Sequence, residues 1–153
     1  MKLSEILHLD NIIPDLKSGD KKKVLEELAS VISATYPYVG MDSLVRVLLE
    51  RERLGSTGIG DGVAIPHGKF HGVNEPVISF GRSLKGVDFD SMDGQPVNIF
   101  FLLVAPENSA SIHLKALARI ARILKNAAFR KLLMEANTKE DLYQTIIQSD
   151  EEF

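Results

Sequence analysis

Apolar and polar positions alternate with clear periods in the first third of the chain. From Lys21 the apolar residues recur at helical spacing, and Asp20 stands where it can cap that helix. A second helical pattern runs from Asp42, the predicted cap, to about Arg53. Residues 11–16 have an extended pattern with a proline, which would confine a strand to a sheet edge. This part is therefore predicted to form one edge strand and two helices.

The next third contains mainly strand patterns. Residues 97–104 form the strongest of them, because they are almost continuously apolar. Such a run is typical of a central strand covered on both faces. Residues 77–80 and 87–89 are predicted to form two further strands, and residues 63–65 a short one.

Helical patterns return after the central strand. The first helix is predicted to start at Ser109 or Ser111, and a second to span about 127–136. Thr138 opens a third in the manner of a capping box, and residues 150–152 are expected to fray. The buried side of the first helix is predicted to contain Leu114, Leu117, Ala118, Ala121 and Leu124. Together these elements predict an α/β fold with a mixed central sheet flanked by helices on both sides.

Composition limits the classes of function. The chain has 153 residues, 44% of them hydrophobic, which suits a single domain spanning 1–153. Its net charge of −3 argues against nucleic-acid binding. The absence of cysteine excludes disulfides and thiol catalysis. With no signal peptide and no apolar run near the ~20 residues of a membrane helix, a cytoplasmic protein without membrane insertion is expected.

A glycine-rich segment over residues 51–69 holds the main candidate chemistry. It reads RERLGSTGIGDGVAIPHGK. Clustered backbone N–H groups of glycine suit an anion such as phosphate. Pro66 fixes the backbone before His67, and Gly68 leaves one side of the imidazole clear. This pattern fits a nucleophilic or phosphoryl-accepting histidine. The alternative is an ordinary turn with a structural histidine.

Two further residues are candidates for the same site. His113 falls in the first turn of the helix that follows the central strand, where N–H groups and the helix dipole favour anions. The alternative is a capping or core histidine. The guanidinium of Arg51 can clamp two oxygens of a phosphoryl group, which lysine cannot. The alternative is a surface arginine paired with Glu50 or Glu52.

The glycine-rich segment resembles the phosphorylation site of bacterial phosphotransferase-system IIA proteins of the fructose/mannitol type. The resemblance is strongest to their nitrogen-regulatory branch, and weaker similarity runs from Leu3 to Tyr143. It implies the IIA type-2 fold and phosphorylation of His67 as tele-phosphohistidine. It also implies that His113 donates to a phosphoryl oxygen. Arg51, sixteen residues before His67, matches the family's arginine.

The resemblance also implies a lining for the phosphoryl group. The expected lining residues are Ser56, Thr57, Gly58, Gly60, Asp61 and Gly62. Asp61 departs from the pattern, because nitrogen-type members commonly have asparagine there. Since a carboxylate repels a phosphoryl group, Asp61 is expected to point away or to orient a ring N–H.

A phosphocarrier follows as the expected function, and hence a phosphotransferase. The expected donor is an HPr-like phosphocarrier of the nitrogen (NPr) type, and the acceptor a regulatory target or a separate IIB protein. The alternatives are a sugar-specific IIA, a binding-only regulatory module and a histidine-dependent hydrolase. No metal or cofactor is expected. His67 and His71 have metal-like spacing, but Pro66, Gly68 and Gly72 deny that segment a helix.

An apolar docking surface is predicted beside the histidine. Its expected members are Ile59, Val63, Pro66, Phe70 and Val73. A phosphoryl group would add about −1.5 to −2 charges at such a surface. Phosphorylation is therefore expected to change the choice of partner.

Overall fold

A computed structural model describes residues 1–152 and shows a six-stranded mixed sheet with helices on both faces. A short 3-10 helix, Leu3–Glu5, precedes the first strand. The strands are β1 Leu7–Ile13, β2 Gly58–Gly60, β3 Val63–Ala64, β4 His67–Phe70, β5 Val77–Val87 and β6 Val97–Pro106. The helices are α1 Lys21–Thr35, α2 Met41–Arg53, α3 Ala110–Leu124, α4 Ala127–Glu135 and α5 Lys139–Glu151. The predicted α/β class is confirmed.

Strand β6 is the centre of the sheet. The order is β1-β5-β6-β3-β2, and β4 also pairs with β6. Strands β3 and β4 run parallel to β6, β5 runs antiparallel to it, and β1 is a parallel edge strand beside β5. The predictions of a central strand at 97–104 and of an edge strand before α1 are therefore confirmed.

Two apolar cores lie on opposite faces of the sheet. Consecutive residues of a strand point to opposite faces, so Phe101 and Phe100 belong to different cores. Phe101 meets Phe80 edge-on beneath α3, α4 and α5. Phe100 meets Phe89 in the same way beneath α1 and α2. The continuous apolar run of β6 thus serves both layers.

Helix starts follow the capping rules in two of the three predicted cases. Asp20 accepts the Lys23 N–H at 2.9 Å, and Thr138 accepts the Asp141 N–H at 3.0 Å. The prediction for Asp42 is wrong. The cap of helix α2 is Gly40, two residues before the predicted one, and the Asp42 carboxylate lies in the first turn of the helix.

Two assignments in the middle of the chain are also corrected. Residues 77–80 and 87–89 were predicted as separate strands, but β5 runs from Val77 through Val87. The polar stretch between them lies within this strand, where the pairing with β6 shifts register between Arg82 and Val87. The predicted buried side of helix α3 is right in part: Leu124 is buried, and Leu117 and Ala121 pack against the core. Leu114 is 64% exposed and Ala118 is exposed, because the helix packs on the sheet through His113, Ala116, Ile120, Ile123 and Leu124.

The acidic end does not fray at Asp150. Its carboxylate is buried and accepts the Leu3 backbone N–H at 2.7 Å. It also pairs with Arg119 of α3. A buried carboxylate needs such partners, and here they join the last helix to the first turn of the chain.

Candidate functional site

A cleft of about 450 Å³ opens between the end of α2, strand β4 and the start of α3. Its lining consists of Val47, Glu50, Arg51, Leu54, His67, Gly68, Lys69 and His113. The topology explains the meeting of the two histidines. His67 lies opposite Leu103 on β6, and β6 leads directly to α3 with His113 in its first turn. The structure therefore brings Arg51, His67 and His113 together.

Gly68 lets α2 approach the strand that carries His67. A Cβ added at Gly68 would lie 2.7 Å from Cγ1 of Val47, which is closer than real Cβ contacts. Glycine is thus required here for close packing. That packing brings the end of α2, and Arg51 with it, beside the imidazole.

His67 is held in one tautomer by its own backbone. Its Nδ1 lies 2.8 Å from the carbonyl oxygen of Ile65, so Nδ1 carries the proton and donates. Nε2 is then a free lone pair, and Arg51 Nε donates to it at 3.3 Å. Burial, and secondly the charge of Arg51, lower the pKa of His67, against the raising effect of the Ile65 hydrogen bond. A lowered pKa favours the neutral ring near neutral pH, and a neutral ring with its proton on Nδ1 has a lone pair on Nε2 that can act as a nucleophile.

His113 lies against His67 with its ring centroid 5.2 Å away and the two rings tilted by 59°. It is 8% exposed, and its Nδ1 is buried with no hydrogen-bond partner among residues 1–152. Burial first, then the charge that His67 carries when protonated, and then the charges of Lys69 and Arg51, lower the pKa of His113. An unpartnered acceptor costs less than an unpartnered N–H beside these charges. The favoured neutral tautomer therefore has its proton on Nε2.

Arg51 has guanidinium N–H groups that are not paired with a carboxylate of the described residues. Its Nη1 donates to the Gly55 carbonyl at 2.8 Å, and no carboxylate of residues 1–152 lies within 4.0 Å of the guanidinium. Glu50 pairs instead with Arg53 at 2.6 Å, and Glu52 faces Lys21 on the other side. The alternative of a carboxylate-paired surface arginine does not hold. Its free N–H groups suit an incoming anion.

The glycines of residues 58–62 form a hairpin rather than part of the cleft wall. Strands β2 and β3 are joined by Asp61 and Gly62, whose φ angles are +57° and +76°. Two positive φ angles characterise the type I′ turn, in which aspartate and asparagine are both favoured before glycine. The Asp61 N–H donates to Asp93 at 3.2 Å, and its side chain borders a separate groove. The turn explains Asp61, which lies away from the histidines.

Ser56 and Thr57 also use their polar groups within the fold. The Ser56 hydroxyl donates to the Phe89 carbonyl at 2.7 Å and accepts the Gly58 N–H at 3.0 Å. The N–H and hydroxyl of Thr57 both donate to Glu52. None of the six residues expected to line the phosphoryl site is part of the cleft lining.

Other lining residues were not predicted. Lys69 follows His67 by two positions on β4, a spacing that places both side chains on one face of the strand. That period could have identified it from the sequence. Glu50 and Leu54 flank the end of α2, and only the packing of α2 on β4 places them in the cleft.

The predicted apolar docking surface is wrong. Of its five expected members only Ile59 is exposed, at 48%, whereas Val63, Pro66 and Val73 are buried and Phe70 is half-buried. Val63 belongs to the core beneath α3, α4 and α5, whereas Val73 belongs to the core beneath α1 and α2, where Phe70 packs against it. The apolar side chain that does stand exposed in the cleft lining is Leu54, at 85%.

The family described as phosphoenolpyruvate-dependent sugar phosphotransferase system, EIIA 2, matches residues 5–149. The chain belongs to this family. It is 41% identical to a nitrogen regulatory protein of Bradyrhizobium diazoefficiens over 146 residues, 95% of each chain. It is 37% identical over 150 residues to the fructose-specific EIIABC component of Bacillus subtilis. That match covers 98% of this chain but only 24% of the relative's length.

Solved structures agree with the family. The nitrogen regulatory protein IIA-Ntr of Neisseria meningitidis superposes with a TM-score of 0.87 at 35% identity, over 94% of this chain and 98% of that one. The mannitol IIA of Escherichia coli, at 19% identity and a TM-score of 0.74, shares the fold. It covers 91% of this chain and 97% of that one. Within residues 1–152, no helix combines the length and apolarity needed to cross a bilayer.

Proposed function

We propose that this phosphotransferase-system component is a phosphocarrier that accepts a phosphoryl group on Nε2 of His67. The observation that supports this most directly is the tautomer. The Nδ1 proton is donated to Ile65, so the Nε2 lone pair faces Arg51 in the cleft. The donor is the phosphohistidine of a small HPr-like protein. His113 and Arg51 stabilise the charge of the transferring group.

No proton has to leave the site during the phosphoryl transfer. The Nε2 lone pair of His67 attacks phosphorus in line as the P–N bond to the donor imidazole breaks, and the donor nitrogen keeps that electron pair. The His67 ring becomes cationic, and its Nδ1–H remains bonded to the Ile65 carbonyl. A donated hydrogen bond of this kind stabilises the positive ring.

Charge on the three phosphoryl oxygens must be met in the loose transition state. Arg51 gives up its long 3.3 Å contact to Nε2 and offers its guanidinium fork to the oxygens. The Nε2–H tautomer of His113 supplies a neutral donor from the start of α3, where the helix dipole also favours negative charge. Lys69 adds a nearby cation in the cleft lining.

We propose the nitrogen-regulatory branch for this chain. Support comes from the 41% identity to the Bradyrhizobium protein and from the 0.87 TM-score to the Neisseria structure, both of which bear that name. In this role the donor is of the NPr type, the acceptor is a regulatory protein target and the protein works in the cytoplasm. A sugar-specific IIA that passes the group to a separate IIB is the second candidate, supported by the 37% identity to the fructose EIIABC component.

The test is a phosphotransfer assay with phosphoenolpyruvate, enzyme I and either an HPr or an NPr-type donor. The wild type is expected to gain one acid-labile, alkali-stable phosphoryl group, fastest from the NPr-type donor. His67→Ala should gain none, and His71→Ala should match the wild type, because His71 is exposed and its one ion-pair partner within residues 1–152 is Glu107.

Each alternative has its own outcome. Faster transfer from HPr would favour the sugar branch. Phosphate release without a stable phosphoprotein would indicate a hydrolase. No labelling by either donor, or full labelling of His67→Ala, would overturn the proposal.

A further inference from the structure

The carboxylate of Glu52 is buried beside the cleft but does not face it. Its side chain is 4% exposed. One oxygen accepts Lys21 Nζ at 3.1 Å and the Thr57 N–H at 3.2 Å, and the other accepts the Thr57 hydroxyl. Burying a carboxylate costs free energy unless hydrogen bonds and an opposite charge compensate it. Here both kinds of partner are present, and two of the three bonds fix one residue, Thr57.

Thr57 in turn holds the residue that sets the tautomer of His67. The Thr57 carbonyl accepts the Ile65 N–H at 3.0 Å. The Ile65 carbonyl accepts Nδ1–H of His67 at 2.8 Å. Three successive hydrogen-bonded contacts therefore run from Glu52 through Thr57 and Ile65 to the imidazole. All three residues before the histidine are at least nine-tenths buried, so water does not readily replace these bonds.

We call the three contacts from Glu52 through Thr57 and Ile65 to His67 the relay. Both of its ends lie at the site. It begins at Glu52, the residue next to Arg51 on α2, and it ends on the ring to which Arg51 donates. If the relay loosens, the Ile65 carbonyl can move away from Nδ1. A neutral imidazole is then free to carry its proton on Nε2, where it blocks the lone pair.

We propose that Glu52 and Thr57 are positioning residues that hold the Ile65 carbonyl against Nδ1 and so keep Nε2 of His67 unprotonated. This rests on the proposed function for its consequence in phosphoryl transfer, but the tautomer can be measured without transfer. Neither residue touches the reacting atoms. Their effect on the position of the Ile65 carbonyl passes through the backbone of Thr57 and Ile65, and the charge of Glu52 separately raises the pKa of His67.

The experiment compares variants of the full chain by the 15N NMR signals of the imidazole rings. Thr57→Val keeps the shape and removes the hydroxyl, Thr57→Ser restores a hydroxyl, and Glu52→Gln keeps one acceptor oxygen and removes the charge. Ser79→Ala is the matched control, because it removes another buried hydroxyl, bonded to the Leu28 carbonyl at 2.9 Å, away from the cleft.

The wild type is expected to show the Nδ1–H tautomer of His67 alone. Thr57→Val and Glu52→Gln should show a measurable share of Nε2–H and accept the phosphoryl group more slowly in proportion to it, so that a tenfold loss of rate corresponds to about nine-tenths Nε2–H. Thr57→Ser should recover the wild-type spectrum and rate. Ser79→Ala should lower thermal stability and leave the tautomer unchanged. Should Thr57→Val fail to fold, Glu52→Gln decides the question.

The proposal is overturned if Thr57→Val or Glu52→Gln, once folded, keeps the wild-type tautomer. It is also overturned if Ser79→Ala shifts the tautomer as much as they do, since the effect would then come from general destabilisation. If the wild type accepts no phosphoryl group, the proposed function fails, and the NMR comparison still decides whether the relay exists.

Discussion

Arg51 and Glu52 are neighbours at the end of α2, and their surroundings differ sharply. Both oxygens of Glu52 are paired, with Lys21 on one side and Thr57 on the other. Arg51 meets no carboxylate in residues 1–152, and the nearby His113 keeps a buried nitrogen without a partner. One side of the helix end is closed by complete polar pairing. The other side keeps Arg51 donors that no carboxylate of residues 1–152 occupies, as the proposed phosphoryl site requires.

The difference shows how the fold supports a costly site. A buried polar group without a partner reduces stability by about 1–3 kcal/mol, and Nδ1 of His113 is such a group among residues 1–152. The buried carboxylate of Glu52, by contrast, has hydrogen-bond partners on both oxygens. Substitutions on the open side should therefore change transfer more than stability, whereas those on the closed side should change stability as well.

The largest effect on transfer, short of losing His67, is expected at His113. His113→Ala should slow phosphoryl acceptance about 10²- to 10³-fold, because one oriented donor to the developing charge is lost. His113→Gln keeps an amide N–H donor and should recover part of the rate. Quenched-flow transfer from the phosphorylated donor measures both. Unchanged rates in His113→Ala would make this residue a structural histidine.

Glu52 and Glu50 test the closed side through stability. Glu52→Ala should lower the free energy of unfolding by about 2–3 kcal/mol, because Thr57 loses its acceptor and Lys21 is left with the exposed carboxylate of Asp90 and the ring of Phe89. Glu50→Ala removes an exposed ion pair with Arg53 and should change it by less than about 0.5 kcal/mol. Urea unfolding measures both. Equal losses of unfolding free energy in the two variants would mean that the buried pairing of Glu52 stabilises the fold no more than the exposed pair of Glu50.

Arg51→Lys probes the fork on the open side. Lysine keeps the charge and loses the planar pair of donors, so transfer should slow about tenfold, at the lower end of the cost of losing a charge-assisted hydrogen bond. Arg51→Ala should slow transfer further. It should also raise the pKa of His67, because the charge that helps to lower it is removed. NMR titration of the His67 ring provides the check, and a lower pKa in Arg51→Ala would contradict this assignment.

The smallest effect is expected in the pH dependence of stability. Burial is the main cause of the lowered pKa of both His67 and His113, so both rings bind protons less readily in the folded chain than in the unfolded chain. Stability contributed by their neutral forms is present above the unfolded value of about 6.5 and is lost as pH falls toward the lowered pKa. His113→Gln should flatten the fall in urea midpoint between pH 7.5 and 5.5. A steeper fall of the urea midpoint in His113→Gln would mean that folding raises the pKa of His113 instead of lowering it.

Periodicity predicted most of the fold because the strongest patterns also determine the core. The unbroken apolar run of β6 and the caps at Asp20 and Thr138 are local signals that tertiary packing does not alter. Helix α3 is apolar on several faces, so only contact with the sheet shows that Leu114 faces solvent. Asp150 could not be recognised as buried, since its partners Leu3 and Arg119 are far away in sequence.

The site was partly predictable for a similar reason. His67, His113 and Arg51 were identified from local sequence context and the family resemblance, and the structure brings them together. The glycines of residues 58–62 suggested an anion-binding loop, but the same residues fit a tight hairpin equally well. Only the pairing of β2 with β3 distinguishes these two uses of glycine.

The most direct test of the central claim is to locate the phosphoryl group on the protein. After phosphorylation by enzyme I and the NPr-type donor, 31P–15N NMR of the labelled chain should show one P–N bond, to Nε2 of His67. The Nδ1 proton should still be present and bonded to the Ile65 carbonyl. A phosphoryl group on Nδ1 of His67, on His113 or on His71 would contradict the account.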